Sequence, residues 1–226
     1  ENNKKMLILD RPNPNGFYVD GPILKEKYKS FVGMHPIPVV HGLTVGELAY
    51  MINGEGWLKG GINCDFEVIE CEKYSHKDYY KLPIPPSPNL PTMSSIYLYP
   101  SLGFFEGTSV SVGRGTDYPF QIIGSPFIDS ASYRFTPTPN QGAKSPKYKG
   151  EMCTGYNLTT FGLMYIRNTK SLYLYWLLGM KEKTVGSDFI TRPGFFDLLA
   201  GTDKLRKQIE SGKTMEEIRA SWEQDL

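Results

Sequence analysis

The first apolar run, KKMLILD at residues 4–10, is continuous rather than alternating, which predicts a buried strand. RPNPNG follows, and its prolines and asparagines forbid the strand's continuation. A parallel strand needs neighbours from crossover units, so the expectation is that this one ends an upstream part of a larger protein. HGLTVGELAYMING then predicts a short helix: Thr44 as N-cap and Glu47 three residues on form a capping box, Leu43 and Leu48 staple it, and Leu48, Met51 and Ile52 recur at helical spacing. Asn53 and Gly54 mark its end. INCDFEVIECEKY at 62–74 reads as a strand, with Cys64, Phe66 and Val68 on one face and Ile69 and Cys71 on the other.

From Pro83 to Pro91 the chain is irregular and proline-stiffened, a segment that would hold its side chains rigidly. YLYPSLGFF at 97–105 is an apolar run after which a strand would leave the core. QIIGSPF at 121–127 and YNLTTFGLMYI at 156–166 are expected as further strands, and residues 137–150 as a surface loop. The C-terminal part is predicted helical over SLYLYWLLGM, GFFDLLAG, TDKLRKQIESG capped by Thr202, and TMEEIRASWEQDL capped by Thr214.

Charge and cysteine content narrow the options. Twenty-five basic residues against 24 acidic ones leave no excess to grip a phosphate backbone or an anionic membrane, so nucleic acid is not an expected partner. The longest apolar run, residues 172–180, is about half a membrane span. The three cysteines form no CxxC or Cys/His cluster, and neither a structural zinc nor any other metal or cofactor is expected. Along one extended strand Cys64 and Cys71 would lie about 23 Å apart, too far to pair with each other.

The stretch EGTSVSVGRGTDYPF at 106–120 carries the candidate chemistry. Glu106 leaves the apolar run, where partial desolvation would raise its pKa as a general acid requires; a solvated loop carboxylate or an ion pair with Arg114 is the plainer reading. Arg114 stands between two glycines, which let a guanidinium and backbone N–H groups approach an anion; a turn alone needs glycine but not arginine. His41 precedes the helix, where an anion would be favoured, or it is a structural histidine. Glu47 is accounted for by the capping box. No G-x-S-x-G elbow, dinucleotide fingerprint or phosphate loop has the right spacing.

Taken in order, LDRPNPNG, HGLTVGELA, PPSPNLP, EGTSVSVGRGTDYPF, GSPF and CTG resemble the exo-β-N-acetylmuramidase family of the NamZ type. The resemblance implies an α+β chain: residues 1–16 as the last strand and loop of an upstream Rossmann-like domain, and residues 17–226 as a smaller, barrel-like domain with flanking helices. It implies release of N-acetylmuramic acid from the non-reducing end of peptidoglycan fragments, a muropeptide or disaccharide, in a cleft shared with the upstream domain. A location in the periplasm or outside the cell follows from that substrate. By the same resemblance Glu106 is the catalytic candidate, with Arg11, Asn13, His41, Asn89, Arg114 and Thr116 as substrate-binding candidates. The alternative from another class is a non-catalytic module that binds peptidoglycan fragments.

Overall fold

The computed structural model describes residues 4–226; residues 1–3 of the expected first segment lie outside the described residues. The chain is α+β. Strand β1 (Met6–Leu9) pairs in parallel with β4 (Phe66–Ile69), and helix α1 (Val45–Gly54) lies between them in sequence. The partner of β1 therefore comes from downstream, on the far side of the expected boundary at residue 16. The strand is also less buried than its sequence predicts: only Ile8 is covered, because a two-stranded sheet leaves Met6, Leu7 and Leu9 open. The predicted strand at 62–74 shrinks to the four residues that β1 can pair, although Cys64, Phe66 and Val68 do share the half-buried face.

Between β1 and α1 runs an antiparallel pair, β2 (Asp20–Ile23) and β3 (Pro38–Val40). Asp20 is 1% exposed and ties distant parts of the chain together. Its carboxylate accepts from Gly21 N (2.8 Å), Leu172 N (2.7 Å), Arg219 Nη1 (2.5 Å) and Trp222 Nε1 (3.0 Å). A buried carboxylate with this many donors is compensated, and removing it strands a half-buried arginine and a buried indole N–H.

At the centre lies helix α2 (Met93–Leu102), where the sequence pattern predicts none. Thr92 and Ser95 form its capping box, and Ile96, Tyr97, Leu98, Ser101 and Leu102 are buried around its circumference. All-round burial erases the amphipathic period by which a helix is usually recognised. Pro100 sits inside α2 and cannot donate to the carbonyl of Ile96; Asn15 Nδ2 donates to that oxygen instead, at 3.1 Å. The apolar run at 97–105 is thus the end of a helix, continued by a 3-10 turn over Gly103–Gly107, and not a strand.

Strands β5 (Ile122–Ser125), β6 (Tyr133–Phe135) and β7 (Cys153–Asn157) form one antiparallel sheet in the order β5-β7-β6. The expected barrel is absent: among the described residues the sheets hold two, two and three short strands, too few to close on themselves. Residues 156–166 are also not a strand. β7 ends at Asn157, whose Oδ1 accepts from Thr159 N (3.0 Å), and the chain turns through α3 (Thr159–Phe161), a π turn (Gly162–Ile166) and α4 (Arg167–Thr169). The aromatic content looked strand-like, but Leu158, Gly162 and Ile166 are buried at helical spacing.

The C-terminal helices follow the sequence closely: α5 (Tyr175–Lys183), α6 (Pro193–Ala200), α7 (Lys204–Glu210) and α8 (Met215–Ala220). Thr214 caps α8 in a full capping box. Thr202 is displaced by one residue from the cap of α7, which falls at Asp203, but its hydroxyl still accepts from Lys204 N at 3.2 Å. All three cysteines are free. No described helix is long and apolar enough to cross a membrane.

Candidate active site

Glu106 lies in the 3-10 turn that continues α2, between the buried Phe105 and Gly107. Gly107 packs against the backbone of Phe196 so closely that a Cβ there would stand 3.0 Å from its Cα, and its carbonyl accepts from Arg192 N at 3.0 Å. The position of Glu106 is thus fixed from both sides. Past Ser111, whose backbone bridges to Gly124, the chain makes a tight turn through Gly113 (φ +75°) and Gly115 (φ +84°). Both glycines are demanded by the backbone, since both lie in the left-handed region. Arg114 is not demanded by the turn. Its guanidinium reaches back to Glu106, Nη1 to Oε2 3.4 Å, with the two side chains 40% and 27% exposed. The ion-pair reading of the sequence therefore describes this pair as it stands.

A second cation completes the surroundings. Lys147 donates to the carbonyls of Thr108 and Val110, and burial pushes its amine down to about 8, with Glu106 opposing and Arg192 reinforcing that shift. Its neighbour Tyr148 donates to Ser109 O at 2.7 Å, so the loop at 137–150 is stitched onto the segment that follows Glu106. Sequence reasoning missed Lys147 and Arg192. A lysine in SPKYKG reads as solvated, and only the tertiary fold buries it.

Tyr99, near the end of α2, links this centre to a cavity. Burial first, then the charge of Glu106, raises its hydroxyl pKa, with Arg114 partly offsetting. Tyr99 and His41 both line a cavity of about 600 Å³ whose walls include Phe31, Met34, Leu48 and Phe104. His41 Nδ1 accepts from Leu43 N at 3.1 Å, and burial lowers its pKa. The neutral ring then carries its proton on Nε2.

The remaining candidates separate into two groups. Asn89 is buried, and its Nδ2 donates to Gly142 O at 2.7 Å. Thr116 donates to Gly113 O at 2.7 Å, and its own carbonyl accepts from Asn140 Nδ2 at 3.4 Å. Both therefore touch one loop, which also returns to the Arg114 turn through Thr138 N and Gly115 O (2.8 Å). Asn13 belongs elsewhere: its amide is occupied by Leu43 O and Asn15 N, both at 2.9 Å, where it fixes the entry to α1. Arg11 is exposed at the end of β1. No hydrogen bond or ion pair among the described residues joins Arg11 or Asn13 to Glu106.

Near α1, Glu47 does two things. Its Oε2 accepts from Thr44 N and its Oε1 meets His76 Nε2, each at 2.8 Å. Burial works to raise Glu47, but the Thr44 and His76 hydrogen bonds outweigh it and hold the carboxyl below its usual value. Asp10, at the end of β1, braces the same helix start through Thr44 Oγ1 (2.7 Å) and Gly46 N (2.8 Å).

The structure thus holds a fixed carboxylate paired with Arg114 and joined through Tyr99 to a mostly apolar cavity, which Tyr99 and His41 line and Glu106 and Arg114 do not. Residues 97–226 match the family model described as exo-β-N-acetylmuramidase NamZ, C-terminal, and residues 1–94 match the corresponding N-terminal model. The chain belongs to the exo-β-N-acetylmuramidase NamZ family. It is 36% identical to the peptidoglycan β-N-acetylmuramidase NamZ of Bacillus subtilis (strain 168), an alignment that takes in all of this chain and 57% of that protein. Two crystal structures of DUF1343 family proteins from Bacteroides fragilis NCTC 9343 are similar. One has 52% identity and a TM-score of 0.94, the other 25% and 0.74, and each match covers 99% of this chain and 63% of the other. The chain thus spans about three-fifths of the length of these relatives.

Proposed function

We propose that this chain forms part of an exo-β-N-acetylmuramidase, which releases N-acetylmuramic acid from the non-reducing end of peptidoglycan fragments. The observation that carries the reading is the Glu106–Arg114 pair, whose charges act on Tyr99, a residue that lines the same cavity as His41. The name of the Bacillus subtilis relative, a peptidoglycan β-N-acetylmuramidase, supports the substrate class.

Glycoside cleavage passes through an oxocarbenium-like state and needs a proton for the leaving oxygen, with a second carboxylate or a substrate group on the opposite face. In this reading Glu106 supplies one carboxylate. Arg114 exchanges its single long contact with Glu106 for a two-pronged grip on the lactyl carboxylate that distinguishes muramic acid. Lys147 and Arg192 add positive potential for the same group, and the Tyr99 ring covers a sugar face. Asn89 and Thr116 shape the loop around the turn, and Arg11 and Asn13 belong to a second wall. The 2-acetamido oxygen or a carboxylate of an upstream Rossmann-like domain completes the reaction. The open apolar surface of β1 and β4, with Met6, Leu7, Leu9 and Ile69 exposed, suits such a neighbour. The substrate favours a periplasmic or extracellular location.

The test is product analysis. The complete protein, incubated with the two isomeric disaccharides, is expected to release N-acetylmuramic acid where that sugar is at the non-reducing end and to leave the isomer with N-acetylglucosamine there intact. Cleavage of neither, with binding retained, would favour a non-catalytic peptidoglycan-binding module.

A further inference from the structure

A second groove, about 600 Å³ in volume, opens at the N-terminal end of α2, where Met93, Ile96 and Tyr97 line it. The cavity with His41 lies at the other end of that helix, against Tyr99, Pro100 and Gly103, and the two share no lining residue. The chemistry of this groove is one-sided. Lys81 and Arg167 are among its lining residues, no aspartate or glutamate is, and no carboxylate pairs with either cation among the described residues.

Arg167 is held by its faces and not by its edges. Its guanidinium carbon lies 3.8 Å from the ring centroid of Tyr79 and 5.9 Å from that of Tyr97, a stacking that leaves the coplanar N–H donors free to point at an acceptor. It follows directly on the π turn Gly162–Ile166, and such turns are frequent at functional sites.

The floor supplies an independent sign. Gln121 is 1% exposed and lines the groove. Its Oε1 accepts from Thr92 Oγ1 at 2.8 Å, and its Nε2 has no partner. The hydroxyl of Thr159, in the same lining, is also buried without a partner. Unpaired buried donors are costly, so their presence in a lined groove calls for an acceptor. The first turn of α2 adds the positive end of its dipole. Pro85, Pro91, Leu82, Met93 and Leu163 make the walls apolar.

We infer that this groove binds the free carboxylate and adjoining backbone of a short peptide. Arg167 and Lys81 take the carboxylate, Gln121 and Thr159 take a peptide carbonyl directly or through one water, and the proline-lined walls take a small apolar side chain. The inference stands apart from the muramidase reading, because it uses none of the residues near Glu106. Two sources carry this chemistry: a free peptide, and a peptide attached to a sugar as in a peptidoglycan fragment.

The probe is L-alanyl-D-glutamate, titrated calorimetrically into the complete protein, with muramyl dipeptide and inorganic phosphate as parallel arms. The dipeptide is expected to bind. Arg167→Gln and Gln121→Glu, the latter keeping the Thr92 contact while setting a negative charge on the floor, are each expected to weaken it at least tenfold. The exposed Lys81→Ala variant, which places no demand on folding, is expected to weaken it several-fold. Arg167→Gln should leave turnover of a para-nitrophenyl muramide unchanged. Tighter binding of muramyl dipeptide that Arg167→Gln weakens as strongly would make the attached peptide the source; equal or weaker binding, or a gain that Arg167→Gln leaves intact, would make it the free one. No binding of either peptide, binding of phosphate alone, or undiminished affinity in Lys81→Ala and Arg167→Gln would overturn the inference.

Discussion

At the scale of single residues, the site joins a pair that is local in the chain, Glu106 with Arg114, to Lys147 from a distant loop. Glu106 and Arg114 are eight positions apart on one turn-rich segment, so sequence alone brought them together and offered the ion pair that the structure contains. Lys147 comes from 39 residues beyond Thr108, and its burial follows from how the 137–150 loop folds back. It carries a distinct signature. Its folded pKa of about 8 lies below the ordinary 10.5, so across that window the unfolded chain binds more protons than the folded one. This group therefore costs stability below about pH 8, and the cost is relieved as pH rises towards 10.5. Denaturant unfolding of wild type and Lys147→Met at about pH 7.5 and about pH 10 is expected to show a rise in the wild type relative to the variant; a pH-independent difference would contradict the burial. Asp20 is the other decisive residue. Asp20→Ala leaves Arg219 and Trp222 without their buried acceptor and is expected to cost about 3–5 kcal/mol in the same measurement.

At the scale of elements, legibility followed the locality of the signal. The α1 and α8 helices were readable because Thr44 with Glu47, and Thr214 with Glu217, are capping boxes written within four residues. Helix α2 was not readable: burial on all sides removes its period, and Pro100 argues against a helix until Asn15, 81 residues from Ile96, takes the orphaned carbonyl. Asn15→Ala is accordingly expected to destabilise the protein by about 1–3 kcal/mol, and Asn15→Leu no less; an unchanged melting temperature would show that solvent reaches Ile96 O. The 159–169 stretch misled for a different reason, since its aromatics serve packing and not strand pairing. The start of α1 gives a pH test. The hydrogen bond to Glu47 first of all raises His76 above its ordinary 6.5. Its stabilising contribution is then complete below pH 6.5 and is lost as pH rises through the folded value. With both groups partly exposed, His76→Ala should cost less than about 1 kcal/mol at low pH, and the gap to wild type should close as the pH is raised.

At the scale of the whole molecule, the α+β class was legible, and the barrel that the resemblance implied is absent among the described residues, because closing a sheet needs more and longer strands than this chain forms. What the architecture provides is a rigid support. α2 and the turn after it fix Glu106 from the interior, the three-stranded sheet fixes the Arg114 turn through Ser111 and Gly124, and the 137–150 loop brings in Lys147. The most direct test of the account is the turnover of para-nitrophenyl N-acetylmuramic acid by the complete protein, wild type against Glu106→Gln, with substrate binding measured alongside. Glu106→Gln is expected to lower kcat by about a hundredfold or more with binding retained, the pattern of a group that acts on the transition state. Turnover near that of the wild type would contradict it and return Glu106 to the role of a structural partner for Arg114.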